Sequence, residues 1–417
     1  MGRILSRFLL LVPLLLITPP TGCPALTLQP QILTVDGFTV RLMVPEGMRV
    51  EFLAPMERPR FLVVGPHFEL LAGSAGSAVY RLEWPYTTAV VLVSLPGRNH
   101  SVAFREGMLY VAETAGLHGA PYTGLPTSLR PGDFSLITPL PSQTGGHWSR
   151  TVVTGPDGRL YIGIGISGNC SDEYLDDSYD FERRRGGVYV LDESGAAPVL
   201  RPYSSGLRNP IGLAFYPSTT ILYATNAGPD NLGFDLPPEI FVPLHQGSYH
   251  GMPWFQYYDG AFHDGECAPT PPPRPASDAV APPVTFDARS TPQGVEFFTD
   301  ARLSPEFKGN GLVAIHGSWA VAPGGGDDSR RPPKIVMVRF AGNQPVGVEN
   351  VVTGFQRPDG SRFARPSGVI QGPDGNLYFT SDGGEVTGLF KLSRTTGPNG
   401  SNPPVSPANS LLLKEER

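Results

Sequence analysis

Short runs in which apolar and polar residues alternate recur along this chain, separated by turns rich in glycine, proline, aspartate and asparagine. The sharpest unit is a Pro-Asp-Gly turn or an equivalent, then Leu-Tyr or Leu-Val, then a few β-formers. We read it at Arg60-Phe61-Leu62-Val63-Val64, Glu106-Gly107-Met108-Leu109-Tyr110-Val111, Asp157-Gly158-Arg159-Leu160-Tyr161-Ile162, Thr220-Ile221-Leu222-Tyr223-Ala224, Asn310-Gly311-Leu312-Val313-Ala314 and Asp374-Gly375-Asn376-Leu377-Tyr378-Phe379. Period-two alternation bounded by turn residues predicts half-buried strands. Most units are followed by a second alternating strand, as at Gly187-Val188-Tyr189-Val190-Leu191 and Gly388-Leu389-Phe390-Lys391-Leu392. A hairpin with one apolar face cannot bury that face alone, and stacking such sheets around an axis buries all of them. The spacing therefore predicts an all-β fold, a six-bladed β-propeller, in preference to a pair of β-sandwiches with similar turns.

Four stretches without this pattern, Thr114 to Thr144, Asn169 to Arg185, Gly251 to Pro283 and Ala320 to Arg331, are expected as long inserted loops on one face, shaping a pocket. The proline-rich run Pro269 to Pro283 reads as an extended surface loop, and residues 396–417 as a tail outside the core. At the other end, Arg3 and Arg7 precede the apolar run Phe8 to Ile17, too short to span a bilayer comfortably. Residues 1–22 are thus expected to be a signal peptide, residues 23–395 the propeller, and the protein exported to the periplasm or beyond. A lipid on Cys23 would be its only membrane contact. Cys170 and Cys267 could pair in an oxidising compartment or remain two thiols.

Composition narrows the partners. Fifty glycines and 46 prolines among 417 residues suit many turns between short strands, and a net charge of −6 argues against nucleic acid, which needs a basic stripe. No zinc spacing, P-loop or Gly-x-Ser-x-Gly elbow is present, and Gly163-Ile164-Gly165-Ile166-Ser167-Gly168 imitates a dinucleotide motif with no helix to follow. What remains is a set of residues at strand ends, densest between Thr144 and Pro229. His147 follows Gly145-Gly146 and precedes a strand, where a neutral imidazole can take a proton from a hydroxyl. Arg208-Asn209 precedes the strand beginning at Pro210, and a guanidinium there can grip a carboxylate or quinone oxygen. Gly228-Pro229 could turn carbonyl oxygens toward a hard cation. Arg289 and Arg365-Pro366 precede strands, and His316-Gly317-Ser318-Trp319 follows one. An isolated histidine is more often tied to backbone, an isolated arginine as often an ion pair, and Gly-Pro usually only a turn. In a propeller, however, strand ends from different repeats converge on one axis.

Together these motifs resemble the glucose/sorbosone dehydrogenase family, soluble quinoproteins that use pyrroloquinoline quinone (PQQ), and especially its L-sorbosone dehydrogenase-like branch. The resemblance spans about Leu95 to Arg394. It rests on Gly206-Leu207-Arg208-Asn209-Pro210-Ile211-Gly212-Leu213, on His147 with Gly155-Pro156-Asp157-Gly158, on Leu232 to Glu239, on His316-Gly317-Ser318-Trp319 and on Arg365-Pro366-Ser367-Gly368-Val369. It implies a six-bladed propeller that oxidises a sugar or related alcohol or aldehyde and passes electrons to an external acceptor. It further implies His147 as the base, Arg208 and Asn209 against the quinone, Arg365 on a cofactor carboxylate, and the Gly228 and Pro229 carbonyls on a Ca2+ ion shared with PQQ. The chain departs from the family pattern at Ala320-Val321, where Asn-Arg is usual, at Ser367, where some members carry a second arginine, and in lacking a clear match for a family lysine, for which Lys334 and Arg289 are the candidate substitutes. Two other functions remain open on sequence alone. One is a non-catalytic propeller binding a carbohydrate or protein. The other is a calcium-dependent lactonase-type hydrolase drawing on Asn209, Asn226 and Asp230.

Overall fold

The computed structural model describes residues 25–124, 128–143, 145–265, 267–268 and 270–395. The expected signal peptide, Cys23 and the tail from 396 lie outside the described residues.

Each Asp-Gly-x-Leu-Tyr unit folds as a tight turn whose own side chains satisfy it. In the turn at Gly155 to Gly158, Asp157 Oδ1 accepts from the Arg159 amide (3.1 Å) and its Oδ2 from the Tyr161 hydroxyl (2.8 Å). Asp374 repeats this with the Asn376 amide (3.1 Å) and Tyr378 hydroxyl (2.9 Å). Gly158 and Gly375, at φ 77° and 82°, supply the left-handed conformation that a side chain would resist. The repeat is therefore a turn chemistry as well as a hydrophobic pattern.

Six sheets result. Their innermost strands are Pro59–Val64, Asn99–Arg105, Arg150–Thr154, Pro210–Phe215, Pro292–Phe297 and Pro366–Gln371, and consecutive ones pack side by side until the sixth meets the first. The ring closes because Met48–Pro55, from the beginning of the chain, pairs antiparallel with Gly388–Arg394 as the outer strand of the sixth blade. Hydroxyls stitch neighbouring blades at the axis: Ser101 to the Arg150 carbonyl (2.9 Å), Thr225 to that of Gln293 (2.7 Å) and Thr380 to that of Arg60 (2.6 Å). Six apolar clusters fill the spaces between adjacent sheets, so each blade is buried by its neighbours. A hairpin of Leu28–Val35 and Phe38–Pro45 lies outside the ring and adds Val35, Val40, Leu42 and Val44 to the cluster between the fifth and sixth blades.

Two expectations are corrected. Arg60 to Val64 belongs to the first blade's innermost strand, and the counterpart of the other five units is Leu70–Ser74. Thr114 to Thr144 is not one inserted loop, since it holds the outer strands of the second blade, Gly116–Pro121 and Ser135–Pro139. The loop at 251–283 carries its own hairpin, Phe255–Tyr258 with Ala261–Asp264, and Cys170 is disulfide-bonded to Cys267, tying that loop to the one at 169–185.

Candidate active site

Four of the six inner strands begin with proline, and five begin with a register shift. Proline loses nothing at a first strand position, where no ladder bond is due, and a bulge re-aims the side chains around it. The polar residues before these strands are thereby turned toward the axis at one end of the propeller.

His147, Arg208 and Asn209 come together there. Gly165 separates them: a Cβ on it would lie 2.5 Å from Asn209 Oδ1 and 2.8 Å from His147 Cβ, so only glycine lets the two approach. Nδ1 of His147 lies 2.5 Å from the Ile166 carbonyl, which can only accept, so Nδ1 carries the proton and Nε2 keeps its lone pair. Two buried arginines clamp the loop bearing it. Arg150 Nη1 and Arg185 Nη2 both donate to the His147 carbonyl at 2.9 Å, and Arg185 Nη1 holds the Gly145 carbonyl at 2.9 Å. Burial first, and then the charge of Arg208, depress the imidazole to about 3, so His147 is neutral at any ordinary pH. Arg208 is itself buried. It donates to Asn169 through Nε to the carbonyl (2.9 Å) and Nη2 to Oδ1 (2.8 Å). The Asn209 amide donates to Asn226 Oδ1 at 2.8 Å.

His316 and Arg365 form a second group, joined to residues that motif reading passed over. Arg365 Nη2 donates to His316 Nδ1 (2.8 Å), and His316 Nε2 donates to Asp382 Oδ1 (2.6 Å). Asp382 Oδ2 in turn takes Arg60 Nη1 at 2.5 Å, and Arg60 Nη2 reaches Gln293 Oε1 at 2.5 Å. Burial would raise the Asp382 carboxyl, but His316 and Arg60 outweigh it and hold it far below the usual carboxylate range. Arg60 also lies 5.2 Å from the Trp148 ring, the residue after His147, which links the two groups. Ser367 is buried and donates to Gln293 Oε1 at 3.3 Å. The Arg-Pro echo in the sequence, Arg58-Pro59 against Arg365-Pro366, marks Arg58, whereas Arg60 stands two residues on, at the place of Ser367.

On the same face Trp319 is 63% exposed, with the guanidinium carbons of Arg330, Arg362 and Arg365 at 4.9, 4.9 and 4.7 Å from its ring. Lys334 plays no part here, because it starts the third strand of the fifth blade and faces Asp287 (3.7 Å).

Arg289, Gly228 and Pro229 make a third group, at the turn where the resemblance implies a Ca2+ ion. The Pro229 carbonyl accepts a hydrogen bond from Arg289 Nη1, and the Gly228 amide donates to the buried Glu239 carboxyl, which burial raises to about 7. Arg289 and Thr291 both hold positive φ, 65° and 52°, a strain of roughly 1–2 kcal/mol each for residues with a Cβ. Among the described residues, no three His, Cys, Asp or Glu side chains gather as metal ligands. Asn226, one of the side chains considered for a hydrolase cation, is spent on the Asn209 amide.

Residues 135–390, which hold every residue of these groups except Arg60, match the family model described as Glucose / Sorbosone dehydrogenase. The chain belongs to the glucose/sorbosone dehydrogenase family. Solved structures share the fold. An AA12 carbohydrate-active enzyme of Trichoderma reesei superposes with a TM-score of 0.71 at 18% identity, over 85% of this chain and 98% of that one. The PQQ domain of a pyranose dehydrogenase from Coprinopsis cinerea follows at 0.65 and 17%, over 85% and 97%. The PQQ-bound aldose sugar dehydrogenase of Streptomyces coelicolor gives 0.58 and 17%, over 84% and 99%. At such identities the likeness shows the fold. A protein of Borreliella burgdorferi is 27% identical over 189 residues, 43% of this chain and 45% of the relative, so the match spans less than half of that protein.

Proposed function

We propose that this glucose/sorbosone dehydrogenase family member is an exported PQQ-dependent dehydrogenase that oxidises a carbinol of a sugar or a related alcohol or aldehyde hydrate. The observation that carries it is His147, an imidazole locked with Nδ1–H on backbone and Nε2 open, set beside Arg208 and Asn209. The donor set suits a flat polyanion: an exposed indole, Trp319, lies among the guanidiniums of Arg330, Arg362 and Arg365, and Arg208 borders the same face. When bound, the quinone supplies the two-electron acceptor for the hydride leaving the carbinol carbon.

The chain's own residues do the rest. Nε2 of His147 takes the hydroxyl proton, and the Ile166 carbonyl steadies the imidazolium by holding Nδ1–H. An imidazole depressed to about 3 is a feeble base, and Arg208 is one cause. An anion seated against Arg208 offsets that charge and lifts His147 toward the range where it can work. His316 presents an Nδ1 lone pair to Arg365 because Asp382 holds its other nitrogen protonated, which aims the Arg365 guanidinium. The Cys170–Cys267 bond, like the apolar run near the chain start, favours export. Titration of the signal-free protein with PQQ, followed by visible spectra and dye reduction against a panel of aldoses, tests this. Saturable binding with sugar-dependent reduction that His147→Ala abolishes is expected. No binding at micromolar PQQ would refute it.

A further inference from the structure

Arg289 lies in the connection from the fourth blade's outer strand, Val284–Phe286, to the fifth blade's inner strand, and its side chain reaches the fourth blade's loop at 229–236. It is 3% exposed, and every N–H it carries on that loop meets oxygen. Nε donates to the Gly233 carbonyl at 3.0 Å, and Nη2 to the carbonyls of Gly233 (2.5 Å) and Leu236 (2.7 Å). Nη1 takes the Pro229 carbonyl and stands 2.9 Å from Asp230 Oδ1. Three backbone carbonyls and a carboxylate drawn from one irregular loop are the hard oxygen set that a calcium ion would use. Here they surround a guanidinium. It cannot lose its proton and, being tethered, cannot be chelated away. A divalent ion on the Pro229 oxygen would sit within hydrogen-bond range of that positive charge, so the two exclude each other.

We propose that Arg289 is the built-in cation of the Gly228–Pro229 turn, standing in the place of a divalent metal, so that this chain holds its anionic quinone without bound calcium. The cofactor half rests on the dehydrogenase function proposed above. The occupancy of the oxygen cage does not. The strained backbone at Arg289 and Thr291 fits a side chain turned from the connection between the two blades to reach that cage.

Calorimetric titration of calcium into the cofactor-free protein decides the first half. Wild type is expected to show no saturable calcium site, Arg289→Gln to gain one, and Arg289→Lys, which keeps the charge, to gain none. Arg289→Gln should also melt higher in calcium than in chelator, which checks its fold in the same experiment. PQQ binding, followed by its absorbance, decides the second half. Wild-type affinity should agree within about twofold in chelator and in calcium, whereas Arg289→Gln should lose about tenfold or more in chelator and recover with calcium. Saturable calcium binding by the wild type, or PQQ uptake by it only with calcium, overturns the proposal, as does an Arg289→Gln variant that folds and gains no site. If wild type takes up PQQ in neither medium, the dehydrogenase function fails, and the calcium titration still decides for or against Arg289.

Discussion

Asp382 offers the sharpest test of how the site is held. Its carboxylate takes Arg60 Nη1 at 2.5 Å and His316 Nε2 at 2.6 Å, with side-chain exposures of 8%, 5% and 11% for the three residues. Asp382→Asn keeps one acceptor oxygen, which can serve His316, and turns an amide NH2 against the Arg60 guanidinium. A buried charge then loses its counterion and meets a donor. Breaking a buried pair from one side costs about 3–5 kcal/mol, of which the lost charged hydrogen bond to Arg60 accounts for about 1.5–3 kcal/mol. The remaining Gln293 Oε1 contact of Arg60 argues for the lower end, about 3 kcal/mol. Replacing Arg60 as well, in Arg60→Met/Asp382→Asn, removes the orphaned charge, so the double variant should cost less than the sum of the singles by about 1–3 kcal/mol. Urea unfolding followed by circular dichroism measures all four proteins. Additivity within about 0.5 kcal/mol, or a loss under about 1 kcal/mol for Asp382→Asn, would refute the buried network. A second readout is independent of stability. In Asp382→Ala, which leaves His316 Nε2–H without that acceptor, His316 is free to move its proton to Nδ1 and push Arg365 Nη2 away, so nitrogen shifts of His316 should report the other tautomer.

Other outcomes follow from the same geometry. The His147 imidazole, near 3 in the free protein, should titrate higher once PQQ is bound, and carbon-detected NMR of the ring that shows no rise would remove Arg208 from its role. Acid should destabilise the fold from pH 6.5 downward. His147 and His250 fall to about 3 and His316 to about 4 when folded, chiefly through burial, whereas unfolded histidine binds a proton near 6.5. Their contribution is present above 6.5 and lost as pH falls toward those values, at up to ~1.4 kcal/mol per pH unit for each histidine. Melting curves between pH 4 and 7 that stay flat would contradict this. Glu296 works in the opposite sense. It lines an axial cavity of about 360 Å³ and burial raises it to about 8, so its stabilising protonated form is lost as pH rises through that value. Glu296→Gln should therefore gain on wild type in melting temperature as pH goes from about 5 to about 9, and a constant difference would refute the shift.

The period-two pattern and the Asp-Gly-x-Leu-Tyr turns made the six-bladed ring legible, because both are local: a turn bonds its own tyrosine, and a strand shows its apolar face in its own residues. The misplacement at Arg60 to Val64 has the same origin. That segment and Leu70–Ser74 are both short apolar strands behind a turn, and nothing local says which one lines the axis. Thr114 to Thr144 looked like a loop because the strands within it, Gly116–Pro121 and Ser135–Pro139, carry glycine, histidine and proline where regular alternation was sought.

His147, Arg208, Asn209, His316 and Arg365 were recognisable as strand-end residues, and chain order alone suggested that such ends converge. Which of them touch was decided by ring closure. Arg60 and Asp382 are separated by more than 300 residues, and they meet because the first and last blades are neighbours. Gly165 lets His147 approach Asn209 only once the third and fourth blades are packed together. Arg289 shows the limit most plainly. By sequence it was one more arginine before a strand, and Pro229 a carbonyl open to a metal. The sequence determined that a cation and an oxygen-rich turn were both available. Only the packing of the fifth blade against the fourth decided that the cation at that turn is the guanidinium, because the distance between them is a property of the closed ring and of no single segment.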